Sequence, residues 1–285
     1  MRESPALKQE NKVHGDHASR EGMKRTGLET FYRHFWARVQ GRYIRSSAHL
    51  FCKRPFAINA QVPFISFSFD DFPRSALDTG GAILRRFGLK GTYYASLGLM
   101  AKQAPTGTMF LREDLKTLLE QGHELGCHTF GHCHAWETRP DAFEESLVQN
   151  QRALTELIPG ASFKTMSYPI SPPRPRTKLK AAHHFMSCRG GGQTFNVGIA
   201  DLNNLSAYFL EKTRDNPGAV KNLIDQNREA KGWLILATHD VSEVPTPYGC
   251  TPGFFQDIVQ SAVSSGARIL PVVQVLDALR AAGTR

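Results

Sequence analysis

Two adjacent aspartates, Asp70 and Asp71, directly follow an apolar run over residues 64–69. Neighbouring carboxylates repel each other, so this pair is costly unless a cation compensates for it. Successive side chains of a strand point to opposite faces, but both aspartates reach one site where the strand ends and the chain turns. A simpler interpretation is an aspartate that caps the helix after Pro73. By itself, the pair is compatible with a cation site or with a helix cap.

A histidine-rich segment, GCHTFGHCH, occupies residues 126–134. His128 and His132 are four residues apart, so on one turn of helix their rings would face the same way. Two imidazole nitrogens suit a metal such as zinc, with a carboxylate from elsewhere completing the protein ligands. Histidine pairs also occur as hydrogen-bonded core residues. Cys127 and Cys133 are rival ligands, although a cysteine at a strand end is more often a small buried residue.

His239 lies in a third polar cluster, ATHD at residues 237–240, again after an apolar run. A histidine in this place suits a general acid or base near neutral pH, and its simpler interpretation is a capping or loop residue. Parallel α/β sheets and barrels collect their sites at the carboxyl ends of the strands. The three clusters are therefore expected at the same edge of a sheet.

From residue 61 onward, short β-branched or aromatic runs alternate with longer helical patterns, which predicts a parallel sheet or barrel. Gly88, Gly122 and Gly266 stand where glycines end helices, and Thr251 before Pro252 is typical of a helix start. The predicted strands are residues 64–69, 92–96, 124–128, 163–168, 185–188, 233–238 and 268–271, and the predicted helices are residues 75–87, 112–121, 141–157, 175–183, 216–230, 252–265 and 272–281.

Residues 1–60 are predicted to be a basic extension of a main domain at residues 61–285. The extension holds twelve Lys/Arg and five Asp/Glu, and 12 − 5 gives a net charge of +7, whereas the other 225 residues hold 23 and 21, a net +2. Residues 1–27 lack a hydrophobic period and are expected to be disordered. Residues 29–54 place apolar side chains at four-residue steps, which predicts an Arg-rich helix (Phe31, Phe35, Val39, Tyr43). This helix either packs on the domain or makes a weak contact with an anionic membrane surface.

The composition narrows the class of protein. Hydrophobic residues make up 41% of the 285 and charged residues 21%, as in an ordinary globular chain. The net charge of +9 lies mainly in the extension, so it does not favour nucleic-acid binding by the main domain. Five cysteines without a CxxC pair predict free thiols. The polar start of the chain and the lack of an apolar stretch of about 18 residues predict a cytoplasmic protein.

In their order and spacing, the motifs FDD, HTFGH, SYP and THD resemble those of the metal-dependent polysaccharide deacetylases, the family that includes nodulation and chitin deacetylases. The resemblance covers about residues 61–275. It implies an α/β fold, a distorted (β/α) barrel of about seven strands, which is preceded here by the basic helical extension.

The resemblance also implies a role for each matched residue. Asp71, His128 and His132 would hold a divalent metal, with Zn²⁺ expected and Co²⁺ or other divalent ions as alternatives. Asp70 would be the base and His239 the acid. The expected activity is removal of N-acetyl groups from a GlcNAc-containing oligo- or polysaccharide, which is hydrolysis of an amide other than a peptide.

The third motif departs from the family pattern. Where the family has Arg-x-Pro-x-Gly or Tyr-Pro-Tyr-Gly, this chain reads SYPIS, so the arginine that usually holds the catalytic aspartate is missing. We expect Arg189, at the end of the next strand, to pair with Asp70 and keep it ionised. Tyr168, Pro169 and Ile170 would contact the substrate, with the Ile170 N–H as the oxyanion donor.

Two alternatives stay open at this point. The same metal site would serve an esterase acting on O-acetyl sugars or a hydrolase of small cyclic amides. A catalytically silent glycan-binding protein would belong to another class. A protein without catalytic activity would be expected to lack a metal ligand or the base. This sequence retains the three ligands and the base.

Overall fold

The structure is a computed structural model that describes residues 36, 38–214 and 216–283. The chain divides after Tyr43, and the larger unit begins at Ile44. Helix α1 runs over residues 38–50 and therefore contributes its last turns to the larger unit.

A curled parallel sheet lies at the centre of the larger unit. Its strands follow the order β10 (Tyr208–Phe209), β11 (Trp233–Thr238), β2 (Phe64–Phe69), β3 (Thr92–Ala95), β6 (Glu124–Cys127), β7 (Thr165–Ser167) and β8 (Ser187–Arg189). A short strand, β12 (Arg268–Ile269), pairs with the start of β2 outside this order. All of these pairs are parallel. The half-barrel confirms the predicted α/β class and the barrel of about seven strands.

The two longest strands are buried along their whole length. All six residues of β2 and all six of β11 are buried, and the two strands pair from Trp233 with Phe64 to Thr238 with Phe69. Strands buried along their whole length are expected in a parallel sheet covered by helices, because both of its faces pack against other elements. The sheet is therefore a rigid base for the residues at its carboxyl edge.

Seven helices follow α1 in the described residues: α2 (Ala82–Arg86), which continues a π-helical turn at Ala76–Gly81, α3 (Arg112–Glu120), α4 (Pro140–Leu157), α5 (Pro175–Ala182), α6 (Pro217–Ala230), α7 (Pro252–Ser264) and α8 (Val272–Gly283). Their end signals are confirmed. Gly88, Gly122 and Gly266 have φ of 69°, 75° and 75°, and Thr251 Oγ1 accepts the N–H of Phe254 at 3.3 Å. None of the described helices is both long and apolar enough to cross a membrane.

One strand of the larger unit lies before residue 61, the predicted start of the main domain. Residues 44–60 belong to the larger unit, since β1 (Pro55–Ile58) pairs antiparallel with β9 (Gly198–Asp201). The predicted helix over residues 29–54 also ends earlier, at residue 50, because Cys52 has a φ of 52° and turns the chain into β1. Phe31 and Phe35 of its apolar stripe lie outside the described residues, and the membrane contact stays a prediction.

Candidate metal centre and active site

The carboxyl ends of the parallel strands bring the three polar clusters together. Asp70 and Asp71 follow β2, His128 follows β6 and His239 follows β11. All four line one cavity of about 900 Å³, and His132 lines it too. Residues far apart in the sequence meet here because parallel strands end at the same edge of the sheet.

Three of these residues form a group that would hold a metal ion. One ligand atom each from Asp71, His128 and His132 lies within 4.8 Å of the other two. Asp71 Oδ1 is 3.3 Å from His128 Nε2 and 2.9 Å from His132 Nε2. This oxygen is buried and makes no hydrogen bond, although both nitrogens are close to it. The atoms therefore converge without the alignment that a hydrogen bond needs.

The tautomer of His128 explains this convergence. His128 Nδ1 lies 2.9 Å from the carbonyl oxygen of Ser167, which only accepts, so Nδ1 carries the proton. In this neutral ring the lone pair of Nε2 faces Asp71 Oδ1 at 3.3 Å. Two acceptors facing each other in a buried site fit a cation between them. The donor set therefore fits a divalent metal such as zinc.

The histidines converge through a strained loop and not through the helical turn that their spacing suggested. Residues 128–134 form no helix. Thr129 and His132 have φ of 62° and 55°, and Asp71 and Ile170 have 62° and 67°. Left-handed backbone is unfavourable for side chains other than glycine, and it is concentrated at functional sites. Four such residues around one cavity indicate that the fold holds the ligands in place against local preference.

Asp70 is paired with Arg189, as the sequence predicted, and caps no helix. The Arg189 guanidinium donates to Asp70 Oδ1, and Ser167 Oγ donates to the same oxygen at 3.3 Å. Burial acts to raise the pKa of Asp70, but nearby positive charge, that of Arg189 foremost, holds the pKa below its ordinary value. No described side chain donates to Oδ2, so this oxygen is left to accept a proton.

His239 is oriented by a backbone carbonyl. Its Nδ1 lies 3.1 Å from the carbonyl oxygen of Tyr248, so Nδ1 carries a proton and Nε2 is left for the cavity. The ring lies between Phe209 and Tyr248, with centroid distances of 6.1 and 5.6 Å. The geometry suits a histidine that transfers a proton through Nε2.

The SYPIS segment contributes to the cavity unequally. Tyr168 and Ile170 line it, whereas Pro169 does not, and the Pro169 carbonyl accepts the N–H groups of Ala135 and Ser171 at 3.3 and 2.7 Å. Tyr168 is buried and its hydroxyl donates to the Asn203 carbonyl at 3.0 Å. Ile170 is 64% exposed, and its N–H makes no hydrogen bond with the described residues. Of the three, Ile170 alone offers an unused donor.

A family model described as polysaccharide deacetylase matches residues 58–185, the stretch that supplies Asp70, Asp71, His128 and His132. Over this stretch the chain is similar to the polysaccharide deacetylase family. A curated relative, a gellan lyase from Bacillus sp, is 24% identical over 196 residues, which are 62% of this chain and 7% of that protein. The chain thus spans a small fraction of the curated relative that it matches.

Solved structures of deacetylases and esterases share the fold. The chitin deacetylase of Colletotrichum lindemuthianum has a TM-score of 0.56 at 15% identity, covering 76% of this chain and 88% of that chain. A family 4 acetyl xylan esterase from Clostridium thermocellum, in complex with a cobalt ion, has 0.52 at 18%, covering 75% and 90%. A CE4 family pseudoenzyme from Bacillus anthracis has 0.54 at 11%, covering 76% and 66%. At these identities the likeness concerns the fold alone.

Three further residues contribute to this candidate site without belonging to any of the sequence motifs. Thr106, on the turn between β4 (Gln103–Ala104) and β5 (Gly107–Thr108), donates to Asp71 Oδ2 at 2.9 Å and orients the carboxylate. Glu211 lines the cavity, and Tyr248 supplies the carbonyl for His239. None stands in a recognisable pattern, since each acts through a loop whose course the sequence does not reveal.

Proposed function

We propose that this protein is a metal-dependent hydrolase that removes N-acetyl groups from a GlcNAc-containing oligo- or polysaccharide. The observation that carries the proposal is the presence, in one cavity, of the ligand group Asp71, His128 and His132 beside Asp70 and His239. The match of residues 58–185 to the polysaccharide deacetylase model supports deacetylation as the type of reaction.

The metal, when bound by these three residues, would supply a Lewis acid that acidifies a water and polarises the substrate carbonyl. Zinc is our candidate, because an aspartate and two histidines suit it and three protein ligands leave a position open. Thr106 and the Ser167 carbonyl orient Asp71 and His128 by hydrogen bonds of 2.9 Å each, as the outer partners of metal ligands do.

Asp70 acts as the general base in this proposal. Its Oδ1 is occupied by Arg189 and Ser167, so Oδ2 takes the proton of the attacking water. Because its pKa lies below the ordinary value, Asp70 is ionised at neutral pH and ready to accept that proton. Arg189 takes the place of the arginine that the third motif lacks.

The departing amine needs a proton donor, and the developing oxyanion needs a hydrogen-bond donor. The Ile170 N–H is our candidate for the oxyanion, and loss of one such donor typically reduces kcat by a factor of about 10² to 10³. His239 donates a proton from Nε2 to the amine, since Nδ1 is held by the Tyr248 carbonyl. The products are acetate and a free amino sugar.

The alternatives differ in substrate and in activity. An O-acetyl esterase would use the same residues on a better leaving group, and a silent glycan-binding protein would use the cavity alone. The retention of all ligands, base and acid favours an enzyme over a silent protein. All five cysteines are free, and a cytoplasmic location, where thiols stay reduced, is part of the proposal.

Acetate release from chitin oligomers and from acetylated xylan, measured side by side, tests the proposal. We expect release from the chitin oligomers, its loss in EDTA and its return with zinc or cobalt. Asp71→Asn should be inactive, and Asp78→Asn, which changes an exposed aspartate, should behave as wild type. Release from xylan alone would establish the esterase, and full activity in chelator would refute the metal site.

A further inference from the structure

The segment of residues 44–54, which we call the N-terminal wall, is fixed to the barrel by a buried lysine. Lys178 is 0% exposed, and its ammonium donates to the carbonyls of Ala48 and Phe51 at 2.7 and 2.8 Å and to Asp201 Oδ2 at 2.6 Å. An ammonium is buried only where its protons find acceptors, and this one has three for its three protons. Two of those acceptors belong to the N-terminal wall, which is therefore held in one position.

Arg54 fastens the other end of the N-terminal wall. Its backbone N–H donates to Asp201 Oδ1 at 2.9 Å. Its guanidinium donates to four carbonyls of the barrel (Ala182, Phe185, Met186, Leu202). Asp201 therefore binds both residues that fix the N-terminal wall, Lys178 and Arg54. The sequence context of this aspartate did not reveal that role.

The N-terminal wall forms one side of the active-site cavity. Arg45, Ala48 and His49 line the cavity that also holds Asp71 and the two histidine ligands. The family match begins at residue 58, so these side chains are an addition of this chain to the matched domain. Arg45, Ala48 and His49 are therefore placed to contact a substrate in the cavity and not the metal ligands.

The charges of the cavity outside the metal centre are mainly positive. Arg45 and Lys212 line it, and neither forms a salt bridge with another residue in the described part of the chain. The one further acid on the described lining is Glu211, which is next to Lys212 in the sequence, and burial raises its pKa. Cations that form no salt bridge on a cavity wall attract ligands of negative charge.

We propose that the N-terminal wall is part of the substrate site and that Arg45, together with Lys212, receives a carboxylate substituent of the glycan. This inference rests on the proposed function, because it names a property of the substrate of that same site. A guanidinium binds a carboxylate with two parallel hydrogen bonds, and an ammonium binds it as a point charge. The preferred substrate is therefore an acidic glycan, and a neutral chitin oligomer is a weaker ligand.

Binding and turnover are tested on a matched pair of glycans. The pair is a GlcNAc pentasaccharide and the same pentasaccharide with one C6 hydroxymethyl group oxidised to a carboxylate. Calorimetric titration uses the zinc-loaded full chain carrying Asp70→Asn, which prevents turnover. We expect the acidic glycan to bind about tenfold more tightly, the size of a charge-assisted hydrogen bond. The preference should shrink as salt is added, because salt screens charges in an open cavity.

Charge reversal identifies the residues. Arg45→Glu and Lys212→Glu should each abolish the preference for the acidic glycan, because the reversed charge repels the carboxylate that the wild-type cation attracts. Lys53→Glu should keep that preference. Lys53→Glu is the matched control, because Lys53 is an exposed cation of the same segment that does not line the cavity. Equal affinity for both glycans, or a preference that survives both reversals, would overturn the inference. Lack of acetate release by the wild type from either glycan would instead overturn the proposed function and leave the binding result readable.

Discussion

Arg189 carries a full charge at a position that is 1% exposed, and several groups share its compensation. The guanidinium binds Asp70 and the Gly190 carbonyl, and it lies 5.0 Å from the ring of Tyr94 and 5.3 Å from that of Phe209. Aromatic faces attract a desolvated cation. These contacts hold an arginine of β8 against Asp70, where the resemblance implied an arginine from the preceding strand.

Replacing Arg189 with alanine should reduce kcat by a factor of at least about 10², the usual effect of losing a general base, with a smaller change in KM. Without the guanidinium, burial dominates and the pKa of Asp70 rises, so less of the base is ionised. Arg189→Lys keeps the charge but lacks the planar guanidinium, so its kcat should lie between those of the wild type and Arg189→Ala. Acetate release gives the rates, and bound zinc per chain should stay unchanged. Near wild-type turnover in Arg189→Ala would show that Arg189 is not needed to keep Asp70 ionised.

His123 predicts a pH dependence of stability away from the active site. It is 4% exposed, its Nδ1 accepts the Gly91 N–H at 2.9 Å, and burial, with Arg85 and Lys90, lowers its pKa to about 4. The unfolded chain has a histidine pKa of about 6.5 and so binds the proton first. Stability therefore falls as the pH falls from about 6.5 towards 4, by about 2.5 kcal/mol between pH 7.5 and 4.5.

His123→Asn keeps an acceptor for Gly91 and removes the titration. The loss of unfolding free energy between pH 7.5 and 4.5, measured by urea denaturation, should be about 2.5 kcal/mol smaller in this variant than in the wild type. The comparison cancels the contributions of the other groups. If the unfolding free energies of the two proteins changed equally with pH, the pKa of His123 would be the same in the folded and unfolded states, contrary to the prediction.

At the residue scale, the sequence predicted the chemistry better than the geometry. The types and order of Asp70, Asp71, His128 and His132 suffice to propose a metal site, because few donor sets suit zinc. Their arrangement was not predictable, because the histidines converge through left-handed backbone that no propensity favours. The Arg189 contact was predictable from the missing arginine alone.

One loop, residues 241–250, positions the proposed acid. Asp240 Oδ1 accepts the hydroxyl of Thr246 and Oδ2 its N–H at 2.9 Å, while the Asp240 carbonyl accepts the Cys250 N–H at 3.0 Å. The loop then offers the Tyr248 carbonyl to His239. A side chain at Gly249 would clash with the carboxylate and the carbonyl oxygen of Asp240. Asp240 therefore acts on His239 through the loop.

Gly249→Ala should lower kcat by about tenfold or more, because the loop must shift and His239 loses its orienting carbonyl; a misplacement of about 1 Å can cost two orders of magnitude. Gly253→Ala is the control, since a side chain there meets no atom within 4 Å, and it should keep full activity. Steady-state kinetics with a chitin oligomer and a zinc-binding titration separate the effects. Loss of zinc binding together with activity would point to general disruption of the site.

At the element scale, long elements were predictable and short ones were not. The strand at Phe64–Phe69 and the strand at Trp233–Thr238 have the bounds that their apolar runs predicted, because full burial leaves a continuous signal. The pairing of β1 with β9 joins four residues to four distant ones, and neither run alternates. Such strands depend on tertiary contacts, which is why the sequence did not predict them.

The whole molecule combines a rigid barrel with a basic segment that the family match does not cover. The sequence located the excess charge in residues 1–60 but assigned it to an extension outside the domain. The structure places residues 44–60 within the larger unit and Arg45 on the cavity. Charge counting shows where basic residues stand in the sequence, and only the fold shows which surface they face.

A bound metal should stabilise the entire chain, because Asp71 follows β2 while His128 and His132 follow β6, and these two segments meet only in the folded protein. Zinc at a hundredfold excess over its Kd adds about 2.7 kcal/mol to the free energy of unfolding. For a chain of this size, about 2–4 °C per kcal/mol gives a rise in Tm of roughly 5–10 °C.

Thermal unfolding with zinc and with EDTA measures this rise. Asp71→Asn and His132→Ala should lose most of it, since each removes a ligand, whereas Asp78→Asn, which changes an exposed aspartate, should retain it. His132 is the better variant for this purpose because its side chain is 26% exposed and its removal disturbs the core less than that of His128, at 2%. A Tm that does not respond to zinc, or that responds equally in both ligand variants, would place the stabilising metal elsewhere.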